Sequence, residues 1–281
     1  MLDFSVVVPA FNRSELLQRA LDSVVSQSLP PREVIVVDDG STDNTLEMLC
    51  SNFPTGIRVI SQENAGVSTA RNTGISASSC EWIAFLDSDD EWYCRKLEKQ
   101  AKFLSENPKL LICHSDEIWI RNGIRVNPKR RHAKSGGWIF PDCLPLCAIS
   151  PSAVIINQGV CADVGGFDER LPVCEDYDMW LRVTSKYPVG FVDEPLVIKY
   201  GGHDDQLSQA YPAMDRFRIT ALIKLLESDS LSTDYRMQTL EVLTVKIQIY
   251  CNGARKRGRE SEANELESMA QRFQHELSSL E

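Results

Sequence analysis

A chain of 281 residues, 43% hydrophobic and 25% charged, has the balance of a globular protein and room for one large domain or two small ones. A formal net charge of −10 argues against broad nucleic-acid binding. The nine cysteines form no CxxC pair, which disfavours a zinc site or a thioredoxin-type motif and suits a reducing compartment, and no apolar run approaches the ~20 residues of a membrane span.

Phe4–Val8 is a β-branched run ended by Pro9, the pattern of a strand buried on both faces. Asn12 or Ser14 is expected to cap a helix running to about Ser26, with Leu17, Ala20, Leu21 and Val24 inward. Val34–Val37 is a second strand that ends in Asp38-Asp39-Gly40-Ser41, and Thr42 or Asp43 is expected to cap the next helix. Ile57–Ile60 is a third strand, and a short helix holding Ser68, Arg71 and Asn72 follows. Trp82–Leu86 is a fourth strand that runs straight into Asp87-Ser88-Asp89-Asp90. Strand and helix alternate four times, which predicts a Rossmann-like α/β fold: a mixed, mainly parallel sheet flanked by helices.

A helix is then expected over Trp92–Asn107 and a strand over Leu110–Ile120, with Asn122-Gly123 as a hairpin turn. Lys129–Lys134 is a basic loop, read either as a solvated connection or as a contact for an anionic ligand. Ser152–Asn157 is another strand, and the acids of Cys174-Glu175-Asp176-Tyr177-Asp178 open a helix. Val189–Val192 and Leu196–Tyr200 read as the last two strands. From Pro212 the pattern is helical, over about Ala213–Leu226, Thr233–Asn252 and Glu260–Leu280. The middle helix carries two apolar stripes, one through Leu240, Leu243, Ile247 and Tyr250 and one through Val242, Val245 and Ile249. Such a helix packs between neighbours or against a second subunit, so a homo-oligomer through this extension is one expectation.

Ligands of such sheets sit beyond the carboxyl ends of the strands. Pro9-Ala10-Phe11-Asn12, Asp38-Asp39 and Asp87–Asp90 all fall there, and Arg71 arrives from the connection after the third strand. A carboxylate suits the donor edge of a base or a ribose hydroxyl, and an arginine suits a diphosphate. Three carboxylates within four residues call for a cation, and a hard divalent ion would leave room for phosphate oxygens. The simpler reading of each acidic stretch is a polar turn or a helix N-terminus. Neither GxGxxG nor GxxxxGK[ST] follows the first strand, which disfavours a dinucleotide-binding dehydrogenase and a P-loop enzyme.

Four blocks in order resemble family 2 glycosyltransferases: Val6–Asn12, Val36–Asp43, Asn64–Asn72 and Phe85–Asp90. The resemblance runs from residue 3 to about 205. It implies a glycosyltransferase-A fold, a nucleotide-sugar donor (a uridine diphosphate sugar first among them), Mn²⁺ or Mg²⁺, and inversion at the anomeric carbon. It further implies a nucleotide-sugar half (1–110) and an acceptor half (111–208), while the helical pattern beyond its reach reads as an extension (209–281). Carried over residue by residue, Pro9 and Asp39 hold the base and Arg71 the base or diphosphate. Asp87 contacts ribose or metal, Ser88 belongs to the donor site, Asp89 binds the metal, and His203 is a metal ligand or diphosphate contact. Asp176 is the catalytic base, Glu175 orients it or binds the acceptor, and Asp178 is the weaker candidate for base. A glycan or lipid-linked acceptor in surface polysaccharide synthesis follows from the same resemblance; the scattered cysteines and the lack of a long apolar run give the expected location, cytoplasmic and peripheral at the membrane at most. Two rivals are a sugar nucleotidyltransferase, which should carry a Gly-rich, lysine-bearing loop after the first strand, and a non-catalytic nucleotide-sugar-binding protein, which would lack the base.

Overall fold

A computed structural model describes residues 2–127, 132–202, 211, 213–228 and 230–280. His203 lies outside the described residues, as do Lys129, Arg130 and Arg131 of the basic loop. The first half alternates as the sequence pattern predicts: β1 (Phe4–Ala10), α1 (Ser14–Val25), β2 (Glu33–Asp38), α2 (Thr45–Asn52), β3 (Arg58–Ser61), α3 (Val67–Ala77) and β4 (Trp82–Phe85). Then come β5 (Glu91–Trp92), α4 (Lys96–Glu106), β6 (Ile112–Arg121), β7 (Ile124–Val126), α5 (Phe140–Cys143), β8 (Ile155–Asn157), α6 (Gln158–Val164), α7 (Glu175–Thr184) and β9 (Gly190–Gly201). Helices α8 (Asp215–Glu227), α9 (Thr233–Arg255) and α10 (Glu260–Leu280) complete the chain.

One sheet holds all nine strands in the order β3-β2-β1-β4-β8-β6-β9-β5, with β7 paired to β6. The β3-β2-β1-β4 part is parallel; β8 then pairs antiparallel with both β4 and β6, while β6 and β9 are parallel. Every residue of β1 is buried, as a β-branched run covered on both faces should be. Leu17, Ala20, Leu21 and Val24 of α1 sit at helical spacing in the core on one side of the sheet.

The structure differs from the sequence reading at four places. Trp92 does not begin a helix: Glu91–Trp92 pairs antiparallel with β9, and the indole Nε1 donates to the Ser152 carbonyl at 2.8 Å, so the turn docks before α4 starts. The last two predicted strands are one strand, β9, whose pairing with β6 shifts register around Asp116 to accommodate Pro195. Neither Asn12 nor Ser14 caps α1 through its side chain; Asn12 instead accepts from the Thr42 and Asp43 amides at 2.8 and 3.3 Å, pinning the β2–α2 loop. Nor do Thr42 and Asp43 stand at the cap of α2, which is Asn44, although Asp43 Oδ1 accepts from the Thr45 amide at 2.9 Å.

Helices α8 to α10 share the core that also contains Phe140, Tyr177, Trp180 and Phe167. The Leu240–Leu243–Ile247–Tyr250 stripe of α9 is buried there, whereas Val245 and Ile249 are exposed. No helix among the described residues is long and apolar enough to cross a membrane. All nine cysteines are free thiols.

Candidate active site

The carboxyl ends of β1, β2 and β4 open into a cleft of about 1100 Å³. Pro9, Asp39, Arg71, Asp87, Ser88 and Asp89 line it together with Glu175 and Asp176. The two acidic clusters, far apart in sequence, therefore face one space.

Arg71 joins them. It is 3% exposed, and its Nη2 donates to Asp87 Oδ1 at 2.7 Å while Nη1 donates to Glu175 Oε1 at 2.6 Å. Helix α3 delivers it because the helix lies almost against the sheet. A Cβ on Gly74, one turn after Arg71, would sit 2.2 Å from Val7 Cγ1, so glycine permits the approach. The neighbouring Asn72 holds the 165–169 turn, donating to the Phe167 carbonyl at 2.8 Å and accepting from the Phe167 amide at 2.9 Å. Thus α3 is the joint between the β1–β4 strands and the segment leading to α7.

Asp39 is 3% exposed and braces the loop after β3. Its carboxylate accepts from the Ala65 and Gly66 amides at 3.0 and 2.8 Å and from Gln62 Nε2 at 2.7 Å.

The acidic turn is braced from behind. Ser152 Oγ donates to Asp90 Oδ2 at 2.6 Å and accepts from the Asp87 amide at 3.1 Å. Lys199 reaches in from β9, its Nζ 4.0 Å from Asp90 Oδ2 and 3.0 Å from Ser150 Oγ. Burial pushes the Asp90 carboxyl well above the usual range; Lys199 opposes this, and the charges of Asp89 and Asp87 add to it. Burial would raise Asp87 too, but Arg71 and Lys199 outweigh it and hold that carboxyl below its ordinary value. The Lys199 ammonium is held protonated: burial opposes the charge, and Asp90, Glu117, Asp87 and Asp89 together prevail. Among the described residues no group of three or more His, Cys, Asp or Glu side chains is arranged to hold a metal ion.

Across the cleft, Cys174 takes a left-handed conformation (φ 61°) and turns the chain into α7. Burial raises the Glu175 carboxyl to about 7; the Asp176 charge adds to this and Arg71 opposes it. Asp176 Oδ1 accepts from the Tyr177 amide at 2.7 Å, and its Oδ2 lies 3.3 Å from the Cys147 thiol. Burial and the Asp176 charge push that thiol well above its ordinary pKa, so it stays protonated and can donate.

Residues 5–143 match the family model described as glycosyl transferase family 2. The chain belongs to that family. An uncharacterized glycosyltransferase of Rickettsia felis is 32% identical over 200 residues, covering 68% of this chain and 32% of that relative. The amylovoran biosynthesis glycosyltransferase AmsB of Erwinia amylovora is 30% identical over 198 residues, covering 66% of this chain and 64% of AmsB. The chain thus spans about a third of the length of the first relative and just under two thirds of the second. The crystal structure of S. aureus TarS 1-349 in complex with UDP-GlcNAc superposes with a TM-score of 0.75 at 21% identity, covering 93% of this chain and 79% of that one. That likeness shows the shared fold, the glycosyltransferase-A type implied by the four sequence blocks.

The structure brings Pro9, Asp39, Arg71, Asp87, Ser88 and Asp89 of the matched residues, with Glu175 and Asp176 beyond them, to one cleft. Asp178 is not among the lining residues: it is 2% exposed, its Oδ2 accepts from Arg182 Nη2 at 2.5 Å and its Oδ1 pairs with Lys224 of α8 at 2.7 Å. Lys134 of the basic loop forms a buried ion pair with Glu117 at 2.8 Å. Sequence reasoning missed Ser152, Lys199 and Cys147. Only Lys199 left a trace, as the single charge in the run Leu196–Tyr200.

Proposed function

We propose that the chain is a metal-dependent, inverting glycosyltransferase that moves a sugar from a nucleoside diphosphate, uridine diphosphate first, to an acceptor hydroxyl. The observation that carries this reading is Arg71, paired at once with Asp87 and Glu175 across a cleft that Asp89 and Asp176 also line. The acceptor oxygen attacks the anomeric carbon on the face opposite the diphosphate. The new C–O bond forms as the bond from that carbon to the diphosphate oxygen breaks. Asp176 takes the hydroxyl proton, and the nucleoside diphosphate leaves with the bonding electron pair. Pro9 and Asp39 border the base, and Asp87 and Ser88 the ribose and phosphates.

The donor set fits a hard divalent cation. Asp87 and Asp89 both offer oxygen donors at the cleft, Asp87 beside Arg71 at 2.7 Å. Asp89, with Asp87, would hold Mn²⁺ or Mg²⁺, and one or two carboxylates suffice where substrate phosphates complete the shell. Bound there, the ion would offset the charge that builds on the leaving diphosphate. The name of AmsB, an amylovoran biosynthesis glycosyltransferase, supports polysaccharide synthesis as the setting; the acceptor in this reading is a glycan or a lipid-linked group.

The test is a pair of variants. Asp176→Asn should bind UDP and Mn²⁺ like the parent and lose at least about a hundredfold in transfer, as expected for a lost general base. Asp89→Ala should lose Mn²⁺-dependent UDP binding. Ordinary turnover by the first variant would overturn the base, and ordinary Mn²⁺ dependence in the second would overturn the metal site.

A further inference from the structure

We infer that Arg19, on α1 and outside the four blocks, is a positioning residue that clamps the acidic turn and so sets Asp89 for its cation; this rests on the metal assignment proposed above. Arg19 Nη2 donates to the Asp89 carbonyl at 2.7 Å. The same guanidinium stacks over the Tyr200 ring, its Cζ 3.7 Å from the ring centroid. Tyr200 grips the turn at two further points. Its amide donates to Asp90 Oδ1 at 3.3 Å and its hydroxyl donates to Glu91 Oε2 at 2.7 Å. Asp89, Asp90 and Glu91 are thereby tied to α1 and β9 through one arginine–tyrosine stack.

The geometry has a cost that marks it as a constraint. Arg19 Nε is buried with no hydrogen-bond partner, an arrangement that ordinarily costs about 1–3 kcal/mol. A looser side chain would turn that nitrogen toward water in the groove lined by Glu15, Gln18, Asp22 and Glu91. The stack prevents it. Asp87, Asp89 and Asp90 crowd one four-residue turn, and a turn that spread apart would move Asp89 from its place. Arg19 opposes that spreading through the backbone carbonyl. A planar guanidinium can stack and donate in one pose; an ammonium cannot.

The test uses the full chain, UDP and Mn²⁺, with binding followed by calorimetry and folding by thermal melting. Arg19→Gln should keep its melting temperature within about 2 °C of the parent. It should need about tenfold more Mn²⁺ for half-maximal UDP binding, the usual cost of losing a residue that orients a metal ligand. Arg19→Lys should share the defect, because charge without the planar stack does not hold the turn. Tyr200→Leu removes the stack from the other side and should repeat the result; it decides alone if Arg19→Gln fails to fold. Parental Mn²⁺ dependence in the glutamine and leucine variants overturns the clamp, and so does full rescue by lysine. Asp89→Ala separates the two readings. If it loses Mn²⁺-dependent binding while Arg19→Gln does not, the clamp fails; if it retains that binding, the metal assignment fails.

Discussion

Replacing Arg71 by Met removes the one cation shared by Asp87 and Glu175. Arg71 and Glu175 are 3% and 5% exposed, so the variant leaves the buried Glu175 carboxylate without its ion-pair partner. Breaking a buried pair from one side costs about 3–5 kcal/mol. The sign of the pH dependence follows from the protons bound. Losing the cation raises both carboxyl pKa values in the folded variant, so its native state binds more protons than the parent's. The destabilisation therefore grows as pH rises through the window between the parent and variant pKa values. For Glu175 that window opens at about 7, where burial and Asp176 have already placed it. Urea unfolding at about pH 5.5 and about pH 8 should show a loss of about 3–5 kcal/mol at the higher pH and a smaller one at the lower. Adding Glu175→Gln to Arg71→Met should recover stability near pH 8, since it removes the stranded charge. A loss under about 1 kcal/mol near pH 8, or a larger loss near pH 5.5, would refute the reasoning.

Two further outcomes follow from buried groups. Lys96 is fully buried, its Nζ lies 4.1 Å from the Trp92 ring centroid, and burial lowers its pKa from 10.5 to about 7. A depressed lysine penalises the fold fully below about 7, and the penalty is relieved as pH rises toward 10.5, amounting to at most about 5 kcal/mol. Lys96→Met should therefore melt higher than the parent near pH 6 and lose the parent's gain in stability on the alkaline side; a lower melting temperature near pH 6 would count against it. Gly74→Ala forces a methyl to within 2.2 Å of Val7 Cγ1 and should cost about 1–3 kcal/mol in urea unfolding. Val7→Ala in that background should recover part of the loss, and no recovery would exclude this clash as the cause.

The strands, and the sheet edge at which the cleft lies, were legible because their signals are local. β-branched runs ended by Pro9 and Asp38, and an apolar run ended by Asp87, announce buried strands whose carboxyl ends carry polar groups. The acids of Glu175-Asp176 were legible as a helix start, and the resemblance directed them at the cleft. What could not be read is what depends on pairing across the chain. Arg71 read as a group for the donor, and nothing near it in sequence says that its two amino groups meet Asp87 and Glu175. Ser152 bridges Asp87 and Asp90 from 62 to 65 positions away. Trp92 looked like the start of a helix because its apolar character suits one; tertiary docking against Ser152 makes it an edge strand instead. The two apolar stripes of α9 were both visible, but only the folded chain shows that one is core, while of the other Val242 packs against that core and Val245 and Ile249 are exposed.

The central claim is that one cleft holds the cation, the diphosphate and the base. Anomalous diffraction from crystals grown with Mn²⁺ and UDP tests it most directly, since manganese reports its own position. The account predicts a peak bound by Asp89 and the diphosphate oxygens, on the side of the cleft opposite Asp176. A nucleotide seated elsewhere, or a manganese ion held away from the Asp87–Asp90 turn, would contradict it.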